Sequence, residues 1–482
     1  MSAANGAPAP HVALPHFLPN AIDASTFPAT PVEPRVAKRQ VEGLRNLDAT
    51  PRLNLASFVT TYMEPECCEL MNEAIAVNYI DTEEYPSTEK IKEMCVSMLA
   101  DLWHADKASP PTGTDTVGSS EAVLLAGLAM KRRWQERRKA EGKDVSTPNI
   151  VMGTETHVVW EKLTNYCELE PRWVANRPGS FMASNEDLVA VADENTIGIV
   201  AILGTTYTGH FYDTAGLDAL VAAKNAQTGW DLGIHVDAAS GGFVAPFAYP
   251  DLKWDFALPN VVSINASGHK FGLVYPGLGW VMFRSRAHLP NSLIFHDNYL
   301  GKDQISFTLN FSKGAMNVVG QLYQFVRLGF SGYSEVNKHM LHSMQVLAAG
   351  LTAMGVFEII SSDKGLPLVA FHLKDDPDRG FDEFGVAERL RMTGWVVPAY
   401  TLARDNESRK VLRVVCRWDL NATMVAELLD DIKEALEWLG DHIVLTADQL
   451  AAVRAKAQEK ASVAGAARKW RTLAPLNARG KC

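Results

Sequence analysis

Residues 263–270 read Ser-Ile-Asn-Ala-Ser-Gly-His-Lys, an apolar run that closes on small residues, a histidine and one lysine. A lysine delivered by the end of a buried strand, beside His269, is a candidate for covalent chemistry through its amine. Upstream, residues 233–237 form a second short apolar run that ends in Asp237 and is followed by Ala238, Ala239, Ser240, Gly241 and Gly242. A carboxylate and a lysine at two strand ends suit pyridoxal phosphate, whose ring nitrogen must stay protonated against an acid while an amine forms the imine. Taken singly, Asp237 reads as a helix cap and Lys270 as a solvated loop lysine; together they favour the cofactor.

A phosphate needs a cradle, and residues 116–122, Thr-Val-Gly-Ser-Ser-Glu-Ala, offer one ahead of a helix-period run over 122–133. Gly118 permits close backbone approach, Ser119 and Ser120 bring hydroxyls, and a helix start presents unpaired N–H groups to an anion. Alone, the same stretch is an ordinary helix cap with an acidic first turn.

The segments Asn-Leu-Ala-Ser-Phe at 54–58, Asn-Tyr-Ile-Asp-Thr-Glu-Glu-Tyr-Pro at 78–86, Gly-Ser-Ser-Glu-Ala at 118–122, Thr-Tyr-Thr-Gly at 206–209, His-Val-Asp-Ala-Ala-Ser-Gly-Gly at 235–242, Ser-Gly-His-Lys-Phe-Gly at 267–272 and Asn-Phe-Ser at 310–312 stand in one order along the chain. In that order they resemble the glutamate decarboxylases of bacteria, plants and fungi, from about residue 54 to about residue 439. The resemblance implies the aspartate-aminotransferase-like α/β fold, with a mainly parallel large-domain sheet covered by helices on both faces and a smaller C-terminal α/β domain. It implies decarboxylation of L-glutamate to 4-aminobutanoate by a cytoplasmic homodimer or higher homo-oligomer.

Length and composition agree with this class. At 482 residues the chain suits two domains with appendages, and with 47% hydrophobic residues it can bury a large core. A net charge of −10 without long acidic runs argues against nucleic acid as a partner. The six cysteines, Cys67, Cys68, Cys95, Cys167, Cys416 and Cys482, show neither metal-ligand spacing nor a disulfide pattern, and read as reduced thiols. No secretory signal, membrane span or metal site is expected.

Along the chain, residues 1–56 read as an Ala- and Pro-rich leader, to about Pro34, and a charged segment that the resemblance assigns to oligomer packing. Residues 57–330 form the large cofactor domain, with strands expected at 149–153, 197–203, 233–237, 261–266 and 278–284 between helix-period stretches; that alternation predicts a mainly parallel sheet. Residues 331–445 form the small domain, with strands expected near 366–373, 395–397 and 411–416. A helix over 422–439 turns Val425, Leu428, Leu429, Ile432, Leu436 and Leu439 inward. The tail, 446–482, is basic, and Trp470 sits in its cationic cluster. A basic amphipathic tail can bind calmodulin, but Pro475 and Gly480 interrupt this one, so a solvated tail is the favoured reading.

Residue by residue, the resemblance makes Lys270 the covalent lysine and Asp237 the partner of the ring nitrogen. Ser119, Ser120 and His269 become phosphate contacts, with Ser267 a polar neighbour. Thr206 falls near the ring oxygen, and Ser312 reaches the phosphate of an adjacent subunit. Ser57, Phe58, Asn78 and Asp81 serve the substrate's distal carboxylate and Arg413 the other one. Two carboxylates at Asp81 repel if both are ionised, so Asp81 shares a proton or orients donors. Without the resemblance, Asn78 and Asp81 read as a helix-end cap. Tyr299 and Leu300 lie on a covering segment, where they would guide protonation.

One stretch departs from the pattern. Where most of this branch places a glutamine on the cofactor face, residues 154–160 read Thr-Glu-Thr-His-Val-Val-Trp, with an apparent one-residue insertion and His157 in the aligned place. His157 is compatible with decarboxylation and can titrate near neutrality; it also reads as a helix-start histidine. With Val77, where relatives commonly carry lysine, it keeps open a decarboxylase of another amino acid, such as aspartate. A catalytically silent paralogue acting as a scaffold is the reading from another class, and the joint retention of Lys270, Asp237, Ser119, Ser120 and Arg413 argues against it.

Overall fold

The structure is a computed structural model that describes residues 25–297, 304–404 and 406–442. The expectations for residues 1–24, for Tyr299 and Leu300, and for the basic tail lie outside the described residues. The described residues up to Thr50 form one compact unit and those from Pro51 onward a second. The first contains helix α1, Pro34–Arg45, which opens on a proline whose missing N–H is no loss at a helix start. Glu33 caps it by accepting a hydrogen bond from the Arg35 N–H at 3.2 Å.

In the second unit a short buried strand holds the middle of the main sheet. Strand β5, Ile234–Asp237, is buried along its whole length because parallel neighbours flank it on both sides. The seven-stranded sheet contains β1 (Thr112–Thr116), β2 (Asn149–Gly153), β3 (Glu170–Val174), β4 (Thr196–Ile202), β5, β6 (Val261–Ala266) and β7 (Gly279–Phe283). Their order is β1-β7-β6-β5-β4-β2-β3. The pairs from β3 through β6 are parallel, while β7 runs antiparallel to both β6 and β1. The five strands expected in this region are all present, with ends shifted by a residue or so. Helices α2 (Pro65–Glu73), α3 (Pro86–Leu102), α4 (Ser119–Ala140), α5 (Val158–Tyr166), α6 (Asn185–Ala190), α7 (Thr214–Thr228) and α8 (Ala245–Ala248) accompany the sheet.

Register then positions the chemistry. Asp237, the last residue of β5, lies opposite Asn265 in β6 and Ile202 in β4. The loop after β6 carries Lys270. Both therefore sit beyond the carboxyl ends of parallel strands, where ligands of such sheets bind.

A two-stranded ribbon, β8 (Phe295–Asp297) with β9 (Gln304–Ser306), follows. Helix α9, Met316–Ala353, then links two cores. Before its interruption at Gly329 (φ 56°, ψ −169°) it packs Val318 into the core of the large sheet, and near its end it packs Met344, Leu347 and Leu351 into a second core. The expected 330/331 boundary falls just past that kink, which a glycine accommodates because other residues are strained at this φ.

The second core surrounds an antiparallel sheet of order β10-β11-β13-β12, made of Phe357–Ile359, Leu368–Leu373, Lys410–Val415 and Ala399–Thr401. Helices α10 (Glu383–Met392) and α11 (Ala422–His442) cover it, and α11 buries Val425, Leu428, Ile432 and Leu439 with Leu429 and Leu436 packed alongside. One expected strand is corrected. Residues 395–397 form no strand: Trp395 and Val397 are buried, Val396 makes only an isolated bridge to Asn54, and the strand begins at Ala399. Pro398 separates the two because it has no N–H to offer a ladder.

Candidate active site

The floor of the site is a buried polar network on two adjacent strands. Asp237 accepts hydrogen bonds from Trp160 Nε1 at 2.8 Å, from Asn265 Nδ2 at 3.1 Å and from the Ala239 N–H at 3.2 Å. Asn265 Oδ1 lies 2.7 Å from His235 Nε2, whose other ring nitrogen is 2.7 Å from Ser263 Oγ. Burial holds His235 below the ordinary imidazole range, with Asp237 pulling the other way. A carboxylate offers about four lone-pair directions, so three donors leave Asp237 able to accept one more.

Lys270 lies in the same pocket. Its Nζ donates to Ser240 Oγ at 3.2 Å and sits 5.4 Å from the Phe58 ring centroid. Burial pushes its pKa down to about 8; the charge of Asp237 opposes that shift and the charge of Arg413 adds to it. An amine so placed is partly neutral near physiological pH, as a covalent lysine must be. The Lys270 carbonyl accepts from Thr60 Oγ1 at 2.7 Å, and the Thr60 N–H donates to His269 O at 2.9 Å, so the segment after Phe58 braces the lysine loop.

The residues expected to contact a phosphate lie at the start of α4 and on the lysine loop. Ser119 Oγ and Ser267 Oγ are 2.7 Å apart, joining the start of α4 to the lysine loop. Ser120 is exposed at the same helix start. His269 Nδ1 accepts from the Leu278 N–H at 3.1 Å, which leaves Nε2 as the protonated nitrogen of the neutral ring. Burial and the neighbouring Lys270 charge bring its pKa down to about 4. Gly118 keeps the space open, since a Cβ there would meet His269 Cε1 at 3.0 Å.

Above this floor stands Arg413, from β13 of the small sheet. Its guanidinium lies 4.6 Å over Phe58 and 5.4 Å over Tyr400, and it donates to the carbonyls of Thr206 and Ala56. Its buried Nε has no hydrogen-bond partner. Thr206 is thereby drawn to the same pocket, and Phe58 belongs to the same chain's site as Lys270. Ser57 lies beside it with Oγ accepting from the Val59 N–H at 3.1 Å. His157 combines its two readings: Nδ1 caps α5 by accepting from the Val159 N–H at 3.2 Å, and the ring lies within the fields of Asp237 and Lys270. Burial sets its pKa below the ordinary value; Asp237 opposes that and the charges of Lys270 and Lys162 reinforce it.

Three expected residues gather elsewhere. Asn78 Oδ1 accepts from the Lys313 N–H at 2.8 Å, and Asp81 accepts from the Glu84 N–H at 3.3 Å, as a turn-capping residue does. Ser312 is exposed and lines a cavity of about 290 Å³ with Thr116, Asn310 and Lys313. Asp115 fastens this region by pairing with Lys313 and accepting from Tyr79. Among the described residues no contact joins Asn78, Asp81 or Ser312 to Lys270 or Arg413, and no cluster of three His, Cys, Asp or Glu could hold a metal ion.

The residues fit pyridoxal phosphate: a buried amine, an acid with one acceptor direction to spare, and an anion cradle kept open by a glycine. Sequence reasoning missed Asn265, His235, Ser240 and Thr60 as parts of the site. Asn265 alone carried a signal, since it stands two residues before Ser267 on the strand paired with Asp237.

Comparison with known proteins follows the same line. The family model of the pyridoxal-dependent decarboxylase conserved domain matches residues 29–374. A glutamate decarboxylase of Solanum lycopersicum is 52% identical over 395 residues, covering 82% of this chain and 78% of the relative. One of Lactococcus lactis is 43% identical over 416 residues, covering 86% and 89%. The solved glutamate decarboxylase of Lactobacillus brevis superposes with a TM-score of 0.86 at 43% identity, over 89% of this chain and 97% of that one.

Proposed function

The chain belongs to the pyridoxal-dependent decarboxylases and, among them, to the glutamate decarboxylases, and from that premise we propose how its residues divide the work. The reaction removes the α-carboxylate of L-glutamate as carbon dioxide and leaves 4-aminobutanoate, with pyridoxal phosphate as cofactor. When bound, that cofactor supplies the electron sink that receives the pair left by the broken carbon–carbon bond.

Lys270 is the residue that would hold the cofactor covalently, a role supported by its depressed pKa and its Ser240 contact. Asp237 would pair with the ring nitrogen and hold its proton there; the donors from Trp160, Asn265 and Ala239 fix the carboxylate's orientation. Ser119, Ser120, Ser267 and His269 hold the phosphate, the last through its Nε2–H. Thr206, whose carbonyl is held by Arg413, and His157, within the fields of Asp237 and Lys270, would be further contacts of the cofactor's ring.

The observation that carries the substrate assignment is Arg413, a buried cation with an unpartnered Nε and no acidic side chain paired to it among the described residues. It binds and orients a carboxylate, and orientation decides which bond of the α-carbon stands perpendicular to the ring and breaks. Ser57 and Phe58 bound the same space and exclude water from it.

Asn78 and Asp81, for the distal carboxylate, and Ser312, for the phosphate, act on the site of a neighbouring subunit. Their separation from Lys270 in one chain supports a homodimer or larger homo-oligomer. We place this assembly in the cytoplasm; among the described residues no cysteine is in a disulfide and no helix is long and apolar enough to cross a membrane.

Purified protein supplied with pyridoxal phosphate and L-glutamate should release 4-aminobutanoate and carbon dioxide in equal amounts, with Lys270→Ala inactive and L-aspartate untouched. Cofactor uptake without glutamate turnover would overturn the substrate and leave the site standing.

A further inference from the structure

The loop that carries Lys270 ends in an uncommon conformation. Leu273 has φ 65°, the left-handed region that a branched, bulky side chain rarely enters, and it is buried. Its N–H donates to the carbonyl of Lys270 at 3.2 Å, so the left-handed turn closes directly on the lysine. Such a turn directs the carbonyls of Gly272 and Leu273 into the protein, where each needs a donor.

Those donors come from α9. Gln324 Nε2 donates to Leu273 O at 2.9 Å, Gln321 Nε2 to Gly272 O at 3.0 Å, and Tyr333 Oη to Gly272 O at 2.9 Å. Gln321 Oε1 is itself oriented by Trp280 Nε1 at 3.2 Å, from β7. All three side chains are buried: Gln321 is 0%, Gln324 3% and Tyr333 2% exposed. Two buried glutamines one helical turn apart, each aimed at one of two adjacent carbonyls, are costly unless the loop they hold must stay as it is.

We infer that Gln324, supported by Gln321 and Tyr333, is a positioning residue for Lys270, holding the left-handed turn at Leu273 so that the lysine amine stays in the pocket of Asp237 and Ser240. The inference rests on Lys270 being the lysine that binds the cofactor. It makes the first half of α9, which contributes no side chain to the pocket itself, part of what sets the amine's reactivity.

The test uses the holoenzyme, with two readouts besides turnover: the rate of cofactor release on dilution, and the pH midpoint of the absorbance band of the lysine-bound cofactor. Gln324→Met should release cofactor about tenfold faster and shift the midpoint. Leu273→Gly in that background should restore both to within about twofold, because glycine adopts the left-handed turn without being held there. Native release and midpoint in Gln324→Met, or a defect that Leu273→Gly leaves unchanged, overturns the inference.

Should Gln324→Met fail to fold, recovery of folded holoenzyme by Leu273→Gly supports the inference, and Gln324→Glu decides it independently. A carboxyl donates to Leu273 O only when protonated, so release relative to the native protein should accelerate as pH rises through its titration. A ratio flat with pH overturns the inference. Borohydride reduction of the native holoenzyme should fix the cofactor on Lys270. Label elsewhere would overturn the assignment of Lys270 and this inference with it, whereas label on Lys270 with an unaltered Gln324→Met overturns the positioning alone.

Discussion

Lys270 and Arg413 are two cations in one buried pocket, and each carries a cost the protein tolerates for a use. Because the charge of Arg413 adds to the depression of the Lys270 pKa, the two are coupled. Cofactor attachment to the apoprotein needs the neutral amine, so its rate should climb roughly tenfold per pH unit at acid pH and level off above about pH 8. Arg413→Met removes a charge that disfavours lysine protonation, so the midpoint should move upward; stopped-flow absorbance reads it, and an unmoved or lowered midpoint contradicts the coupling. At this scale the sequence was legible wherever chemistry is local. Lys270, Asp237 and Ser119 are announced by their immediate neighbours, and His269, Phe58 and Arg413 by resemblance. Gln321 and Gln324 were not, because an amide side chain reveals its role only through the distant carbonyl or carboxylate it meets.

Helix α5 shows how an element can serve the site. His157 caps it through Nδ1, and three residues on Trp160 donates to Asp237, so the geometry of the acid depends on the helix beginning where it does. His157→Ala should lower stability by about 1 kcal/mol, the usual worth of an N-cap, while His157→Asn retains the cap and most of the stability. Denaturant unfolding separates the two, and equal losses would refute the capping role. The pH dependence has a defined sign. The folded-state pKa of His157 lies below its ordinary value, so its contribution is complete above the unfolded value near 6.5 and is lost as pH falls through the folded one. The parallel strands β2, β4, β5 and β6 were readable as short apolar runs bounded by small residues. The misplaced strand at 395–397 was not, since burial in a loop over a core and burial in a strand leave the same apolar signature. β1 and β3 passed unnoticed because Thr112–Thr116 and Glu170–Val174 are too polar to register as apolar runs.

Across the whole molecule two cores are joined by α9, and among the described residues no contact joins Asn78, Asp81 or Ser312 to the chain's own Lys270. If these residues complete a neighbouring subunit's site, mixing inactive Lys270→Ala with inactive Asn78→Ala should regenerate activity. Random reassortment in a dimer gives one intact site in each mixed pair, or about a quarter of the native activity; no recovery on mixing would refute the shared site. Sequence could not decide this, since spacing along a chain does not say which copy a residue serves. The course of α9 also bears on how such a chain can be recombined with a relative. Its first half supplies the amides that hold the lysine loop and its second half fills the core beneath Arg413's sheet, so a crossover placed where the large sheet ends, before Met316, hands the lysine to one parent and its supports to the other. The seam that keeps inheritance of the cofactor site whole lies after Ala353, well inside what looks, strand by strand, like the second domain.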